Sequence, residues 1–182
     1  MVLTSLEQII NADFPVISGN VGFGLPTMIP NSAYIVRFSV VTAEMPRATH
    51  EAEALSVRHA DGAQHRTLDG ALVSGSGATV FEARKLGDFV EYTIPAPGRG
   101  VYHLSAHLAR GGSHGLMQLY VDGESISGPV DEFGEKGEFE KRFGAISVGD
   151  GDLTLRFEIV GRHPDSDGLD AVFDSFELAR LS

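Results

Sequence analysis

The sequence has no cysteine and no tryptophan, and it is poor in basic residues. The absence of cysteine excludes disulfide bonds, thiolate metal sites and cysteine nucleophiles. The absence of tryptophan removes the largest aromatic platform on which a ligand could stack. Among the 182 residues, 14 Lys and Arg stand against 25 Asp and Glu, which gives a formal net charge of −11. We therefore expect neither nucleic acid nor an anionic membrane surface as a partner, because both repel an acidic protein.

Long apolar runs are absent as well. No stretch approaches the roughly 20 apolar residues that are needed to span a bilayer. Residues 1–7 lack the basic start and the apolar segment of a signal peptide. If the parent protein is secreted, we expect its signal to lie outside this chain.

The sequence does contain a succession of short β-rich runs that are separated by turn residues. Alternating apolar side chains predict strands near residues 33–41, 88–94, 101–109, 116–121, 153–160 and 171–178. This density of short strands predicts an all-β sandwich with very little helix. The one helix we expect is a short one that begins near Thr4, because Thr4 and Glu7 have the spacing of a capping box.

The chain changes character near residue 49. Residues 1–49 carry a net charge of only −1, and they include a stretch rich in Gly and Pro and a segment around Pro46 that is typical of a linker. Most of the acidic charge and most of the predicted strands follow. We predict an N-terminal extension over residues 1–48 and a β-sandwich domain over residues 49–182.

Residues 111–115 read Gly-Gly-Ser-His-Gly and match the G-x-S-x-G pattern of a hydrolase nucleophile elbow. That elbow requires a strand that leads into a helix, whereas the residues that follow alternate like another strand. We therefore interpret the motif as a glycine-rich hairpin loop. A hydrolase that uses Ser113 and a nearby histidine ranks last among the functional hypotheses.

Two histidines, His103 and His107, share one face of a predicted strand. On a strand they stand about 13 Å apart, which is too far for a shared metal ion. We expect both on the exposed face of the strand, where His103 is a candidate for contact with a ligand.

Three carboxylates stand out by their positions. Glu51 and Glu53 alternate on one face of the strand that opens the second segment. Asp174 interrupts an apolar stripe on the last strand, with Val172 and Phe176 as its expected neighbours on that face. A carboxylate directed toward a core is costly unless it is paired or coordinated. The pattern leaves two alternatives open: the three acids converge on calcium, or Asp174 pairs with an arginine or caps a loop.

Several motifs in order resemble carbohydrate-binding modules of families 6 and 35. Those modules open with an E-A-E strand, continue with G-D-aromatic-V-x-Y, and close with a strand of the type hydrophobic-D-x-hydrophobic-x-L. The matching segments are residues 50–55, 86–95, 100–104, 118–123, 151–157 and 173–178. The resemblance spans roughly residues 49–180.

The resemblance implies a jelly-roll sandwich of the galactose-binding-like type that is non-catalytic and attached to a glycoside hydrolase or lyase. It implies a structural calcium ion held by the two opening glutamates and the closing aspartate, here Glu51, Glu53 and Asp174. It also implies sugar contacts from loops at one end of the sandwich. The residues that correspond to those contacts, together with the histidine noted above, are Phe81, His103, Phe139, Arg162, His163 and Asp167.

The leading functional hypothesis is therefore a calcium-stabilised module that binds a neutral oligosaccharide or a glycan chain end, in an extracellular or periplasmic protein. A neutral sugar is expected because like charge disfavours an anionic ligand. Residues 24–36 are similar to the closing strand of the β-domain that follows many glycosidase barrels, which suggests a covalently linked catalytic domain. The alternative is a structural β-sandwich that packs on a catalytic domain or self-associates without binding sugar.

Overall fold

The computed structural model describes residues 3–9, 35–40, 47–69 and 77–181, and the chain divides into two units, Met1–Glu44 and Met45–Ser182. In the first unit, strand β1 (Leu3–Ile9) pairs antiparallel with strand β2 (Ile35–Val40). The prediction of strand β2 is confirmed, whereas the prediction of a helix after Thr4 is wrong. A capping box stabilises only the first turn of a helix, and forming that turn in isolation is unfavourable. Pairing with β2 satisfies the same backbone groups.

The second unit is built from strands, and its one short helical segment within the described residues is a single 3-10 turn, Ala52–Ala54. The described part of the chain contains no helix long and apolar enough to cross a membrane. The strands are β3 (Arg47–Glu51), β4 (Ser56–His59), β5 (Gln64–Asp69), β6 (Gly77–Glu82), β7 (Phe89–Ile94), β8 (Gly100–Arg110), β9 (Gly115–Val121), β10 (Glu124–Ser125), β11 (Val130–Asp131), β12 (Gly137–Val148), β13 (Leu153–Arg162) and β14 (Asp170–Arg180).

These strands form two antiparallel sheets, which confirms the all-β prediction. The front sheet has the order β10-β9-β13-β7-β4, and β11 also pairs with β9. The back sheet has the order β12-β8-β14-β6-β5, and β3 also pairs with β14. Consecutive strands often lie in different sheets, so the chain crosses repeatedly from one layer to the other.

The core lies between the two sheets and follows from the alternation of apolar residues along each strand. On β7, Val90, Tyr92 and Ile94 alternate with more polar positions, and all three are fully buried. Two rings of the front sheet, Tyr92 and Phe157, meet two rings of the back sheet, with centroid distances of 4.7 to 5.7 Å across the interface. Those back-sheet rings are Phe173 and Phe176. Burial of such large rings on both inner faces holds the sheets together.

A β-bulge on the last strand decides which way its side chains point. The pairing of β14 with β8 shifts register between Phe173 and Ser175, so Asp174 is the additional residue. Because a bulge places two residues opposite one, both Phe173 and Phe176 point into the core although they are three apart. Val172 packs instead in a small separate cluster with Ala78 and Val80. The expectation that Val172 and Phe176 share a face is therefore wrong.

We predict that Phe157→Ala lowers the free energy of unfolding by about 3–5 kcal/mol, because it opens a cavity at the centre of the four-ring contact. Urea unfolding followed by circular dichroism measures this. The control is Leu86→Ala, since the Leu86 side chain is 58 % exposed and its loss should change stability by about 0.5 kcal/mol or less. Equal effects from the two variants would contradict the central role of Phe157.

Candidate functional site

One end of the sandwich collects the loops that pass from one sheet to the other. The register pairs Arg110 with Gly137, Gly115 with Arg162, and Glu82 with Asp170. The ends of β8, β13 and β6 therefore lie at the same end of the sandwich as the starts of β12, β9 and β14. We call this end the upper end and define it by the loops 60–63, 83–88, 111–114, 132–136 and 163–169.

A cleft of about 340 Å³ lies between two of these loops and is lined by Asp61, Arg84, Lys85 and Asp88. Asp88 is buried, and its Oδ2 accepts the backbone N–H groups of Arg84 at 2.8 Å and of Lys85 at 3.2 Å. These bonds fix the loop in the absence of any ligand. The other three side chains are exposed and present charges of both signs. The volume lies within the range of small-molecule sites.

The loop between β13 and β14 is held against the loop between β8 and β9. The backbone N–H of Asp167 donates to Gly112 at 3.2 Å, and the hydroxyl of Ser166 donates to the backbone oxygen of His114 at 2.8 Å. A Cβ on Gly168 would come within 2.5 Å of the backbone oxygen of Ser113, so only glycine permits this close approach. The two loops therefore form one preorganised surface.

Three of the predicted ligand-binding residues lie on this surface. Arg162 ends β13 and is exposed, His163 follows it and is half-buried, and Asp167 is exposed. Phe139 lies nearby on β12, where its partly buried ring packs against the core and carries the guanidinium of Arg110 at 4.5 Å from its centroid. The structure thus brings four of the six predicted residues to the upper end.

The other two predicted residues lie elsewhere. Phe81 is fully buried in the core, so its ring offers no face to a sugar, and the prediction that it binds ligand is wrong. His103 lies on the outer face of β8 between Ala145 and Ala179. It stands seven residues before Arg110, which is about 23 Å along the strand. His103 therefore does not belong to the upper end.

Phe133 is a residue of the upper end that the sequence analysis missed. Its ring stacks on the imidazole of His163 with a centroid distance of 4.2 Å and an interplanar angle of 8°. In the sequence, Phe133 is a single aromatic residue in a polar segment and is followed by Gly134. That signal is weak, because Phe139 lies a few residues further on and matches the family motif better.

Ser113 does not have the partners of a serine nucleophile. Its hydroxyl donates to Asp170 Oδ2 at 3.0 Å. A nucleophile of the elbow type requires a base in hydrogen-bond contact and a helix behind the turn, and Ser113 lies between strands β8 and β9. The geometry supports the interpretation of residues 111–115 as a turn between two strands.

A buried pair of titratable groups, Glu132 and His114, lies under the same loops. Glu132 is fully buried and His114 is 7 % exposed, and Glu132 Oε2 lies 3.8 Å from His114 Nδ1. Among the described residues, His114 Nδ1 has no hydrogen-bond partner, and the Glu132 carboxyl group faces the backbone of Val172. Burial raises the pKa of Glu132 well above its usual range, and burial lowers the pKa of His114. Burial thus favours the neutral form of both groups.

The three carboxylates of the predicted metal site lie on neighbouring segments. The register pairs Glu51 with Ser175, one residue from Asp174, which is 2 % exposed and accepts the Ser175 hydroxyl at 3.2 Å. Glu53 lies in the 3-10 turn Ala52–Ala54 and not on a strand, so the prediction that Glu51 and Glu53 alternate along one strand is wrong. Among the described residues, no group of three or more His, Asp or Glu side chains has the arrangement of a metal site.

The comparisons with known proteins concern the fold. No protein-family model and no curated protein matches the sequence. A xanthan lyase from Paenibacillus superposes with a TM-score of 0.68 at 23 % identity, over 81 % of this chain and 15 % of that enzyme. A β-(1,4)-mannanase with a family 35 module from Podospora anserina superposes with a TM-score of 0.53 at 13 % identity, over 77 % of this chain and 28 % of the mannanase.

One of the similar structures is a single module that the matched region covers almost completely. A family 35 carbohydrate-binding module from Clostridium thermocellum superposes with a TM-score of 0.52 at 18 % identity, over 73 % of this chain and 97 % of the module. The chain has the jelly-roll fold of a family 35-type carbohydrate-binding module. The predicted jelly-roll fold is thus confirmed. The chain matches only small parts of the two enzymes but nearly the whole of the module.

We predict that Glu132→Gln stabilises the protein increasingly as the pH rises. A raised pKa means that the folded state keeps a proton that the unfolded state releases. The stability that this proton contributes is complete below the unfolded pKa of about 4.3 and is lost as the pH rises through the folded pKa. Glutamine does not titrate, so the difference in Tm between variant and wild type should grow as the pH rises above the unfolded pKa of Glu132, about 4.3.

The control for this experiment is Glu135→Gln, because Glu135 is exposed on the same loop. Its difference in Tm from wild type should stay near zero across the same range. The negative charge of Asp131 raises the pKa of Glu132, as burial does. Asp131 is unchanged in both variants. A Glu132→Gln difference that does not depend on pH would contradict a neutral buried glutamic acid.

Proposed function

We propose that this chain is a non-catalytic module that binds a neutral carbohydrate at its upper end. The observation that carries the proposal is the convergence of five sheet-to-sheet loops on one preorganised, solvent-accessible surface. The fold of the structural neighbours supports carbohydrate binding in general. A rigid loop surface favours binding because little conformational entropy is lost when a ligand arrives.

A neutral ligand is supported by the charges at the upper end. Exposed acidic and basic side chains alternate there, so neither sign dominates the local field. The acidic residues include Asp61, Asp131, Glu135, Asp165 and Asp167, and the basic residues include Arg84, Lys85, Arg110, Lys136 and Arg162. Carboxylates and guanidinium groups together offer acceptors and donors for sugar hydroxyls.

We further propose that the module belongs to a larger extracellular or periplasmic enzyme and directs its catalytic domain to a polysaccharide. Support comes from the two enzymes above, in which the matching region is 15 % and 28 % of the whole chain. Linking a binding module to a catalytic domain raises the local concentration of the substrate. The enzyme's own reaction does not follow from the module.

Calcium binding by Glu51, Glu53 and Asp174 is also a proposal. It is supported by the chemistry of the donors, because calcium takes carboxylate and backbone oxygens, and by the register that sets Glu51 beside Asp174. The burial of Asp174 supports it too, since a cation would compensate a buried carboxylate. Bound calcium would tie the start of the domain to its last strand.

We predict that the wild-type module binds at least one neutral glycan, and that Asp167→Ala weakens binding about tenfold, which is about 1.4 kcal/mol. The reason is the loss of an exposed acceptor on the loop surface. A glycan array finds the ligand and calorimetry measures its Kd. Asp152→Ala is the matched control, because Asp152 is exposed in the turn between β12 and β13 at the other end of the sandwich. Absence of any binding at millimolar glycan would contradict the proposal.

We predict that a calcium chelator lowers the wild-type Tm and that Asp174→Asn abolishes this response. An ion that binds only the folded state stabilises it by about 2.7 kcal/mol at a hundredfold excess over its Kd. Differential scanning calorimetry with and without calcium measures the shift. Asp170→Asn serves as a control, since Asp170 is four residues away on the same strand and bonds Ser113. A wild-type Tm that does not respond to chelator or to added calcium would contradict the site.

A further inference from the structure

The aromatic rings of residues 47–69 and 77–181 fall into two classes. Seven are buried in the core and have no face for a ligand: Phe81, Tyr92, Tyr102, Phe143, Phe157, Phe173 and Phe176. Four are partly exposed: Phe89, Tyr120, Phe133 and Phe139. A sugar that stacks on a phenyl or phenol ring within residues 47–69 and 77–181 has to use one of these four.

Three of the four lie away from the upper end or are already covered by another group. Phe89 lies on the outer face of the front sheet, with guanidinium groups over its ring at 5.1 Å (Arg58) and 3.8 Å (Arg156). Tyr120 pairs with Arg156 and Ser125 on the same sheet. At the upper end, Phe139 carries Arg110 over its ring and packs against the core.

Phe133 differs because the group that covers it is itself a flat ring. The imidazole of His163 lies nearly parallel to the Phe133 phenyl ring at 4.2 Å and 8°. The His163 side chain remains 32 % exposed. The two rings form one layered unit, which we call the Phe133–His163 platform.

The backbone on both sides of the platform is fixed. Phe133 forms a β-bridge with Gly111, whose N–H donates to the carbonyl oxygen of Glu132 at 3.2 Å. His163 directly follows β13, and its Nδ1 accepts the backbone N–H of Asp165 at 3.2 Å. Because Nδ1 is an acceptor, the proton of the neutral imidazole lies on Nε2. The platform therefore joins a flat apolar face to an N–H donor.

We propose that the Phe133–His163 platform is the stacking surface for one pyranose ring of a neutral glycan and stands in for the tryptophan that this chain lacks. The proposal rests on the proposed function and adds the residues that would carry it. The C–H face of the sugar packs on the rings, and its hydroxyls reach the His163 Nε2–H, Asp167 and Arg162, which border the same loop. His163 is one of the residues that the sequence motifs indicated, whereas Phe133 is not; the motifs pointed to the rings of Phe81 and Phe139 instead.

Calorimetry with the neutral glycan identified for the wild type tests the platform. We expect Phe133→Ala and His163→Ala each to raise Kd at least tenfold, because each removes one layer. His163→Phe should retain most of the affinity, since it keeps a flat ring and loses only the donor. Tyr120→Ala is the control, because it removes a partly exposed ring from the front sheet and should leave Kd unchanged.

A second readout uses the wild-type protein alone, so it does not depend on the folding of any variant. Titration of the glycan should shift the ring NMR resonances of Phe133 and His163 and leave those of Phe89 in place. Wild-type binding with unshifted platform resonances, or with an unchanged Kd in both alanine variants, would overturn the platform and leave the proposed function standing. Absence of glycan binding by the wild type would overturn both.

Discussion

The structure depends on the contact of four aromatic rings across the two sheets. Tyr92 and Phe157 come from the front sheet, and Phe173 and Phe176 come from the last strand of the back sheet. Both rings of the last strand point inward because the bulge at Asp174 inserts one residue between them. The same bulge sets Asp174 beside the strand that opens the domain. Core packing and the proposed calcium site thus share one local backbone feature.

The surface proposed for carbohydrate binding follows from this stacking. Each loop of the upper end passes from one sheet to the other, so its position is set by the distance between the layers. Glycines then permit close approach: at Gly111 a Cβ would lie 2.9 Å from His114 Nε2, and at Gly168 it would meet Ser113. The loops gain their rigidity from contacts with one another, and a ligand meets a surface that is already formed.

Burial of the Glu132–His114 pair lowers the stability of the fold, and the pair lies next to the surface proposed for binding. Glu132 is fully buried, and transferring a carboxyl group from water to the interior costs free energy even when the group is neutral. The pair lies directly beneath the loops, and Glu132 immediately precedes Phe133. Functional surfaces are where proteins commonly retain groups that packing alone would disfavour. The backbone of Glu132 meanwhile anchors the loop through its bond to Gly111.

The sequence by itself determined the class of fold and the inward faces of its regular strands. The alternation of residues 88–94 predicted a strand, and its apolar side, Val90, Tyr92 and Ile94, is buried because side chains of a strand point in turn to opposite sides. It also marked the acids and the last-loop residues that lie at the sites proposed here for calcium and for carbohydrate. Local pattern fails where a partner distant in the sequence decides the outcome, as for the β1 strand, where pairing overrides a capping signal.

Only the tertiary structure decided which rings are buried and which meet. Phe81 and Phe133 are the same residue type, yet one lies in the core and the other at the upper end under His163. The bulge at Asp174 is likewise a property of the pairing between β14 and β8 and leaves no periodic signal in the sequence. Contacts between Phe133 and His163, or between Glu132 and His114, join residues that are 30 and 18 positions apart. Such contacts form because two stacked sheets place loops from distant parts of the chain at one end.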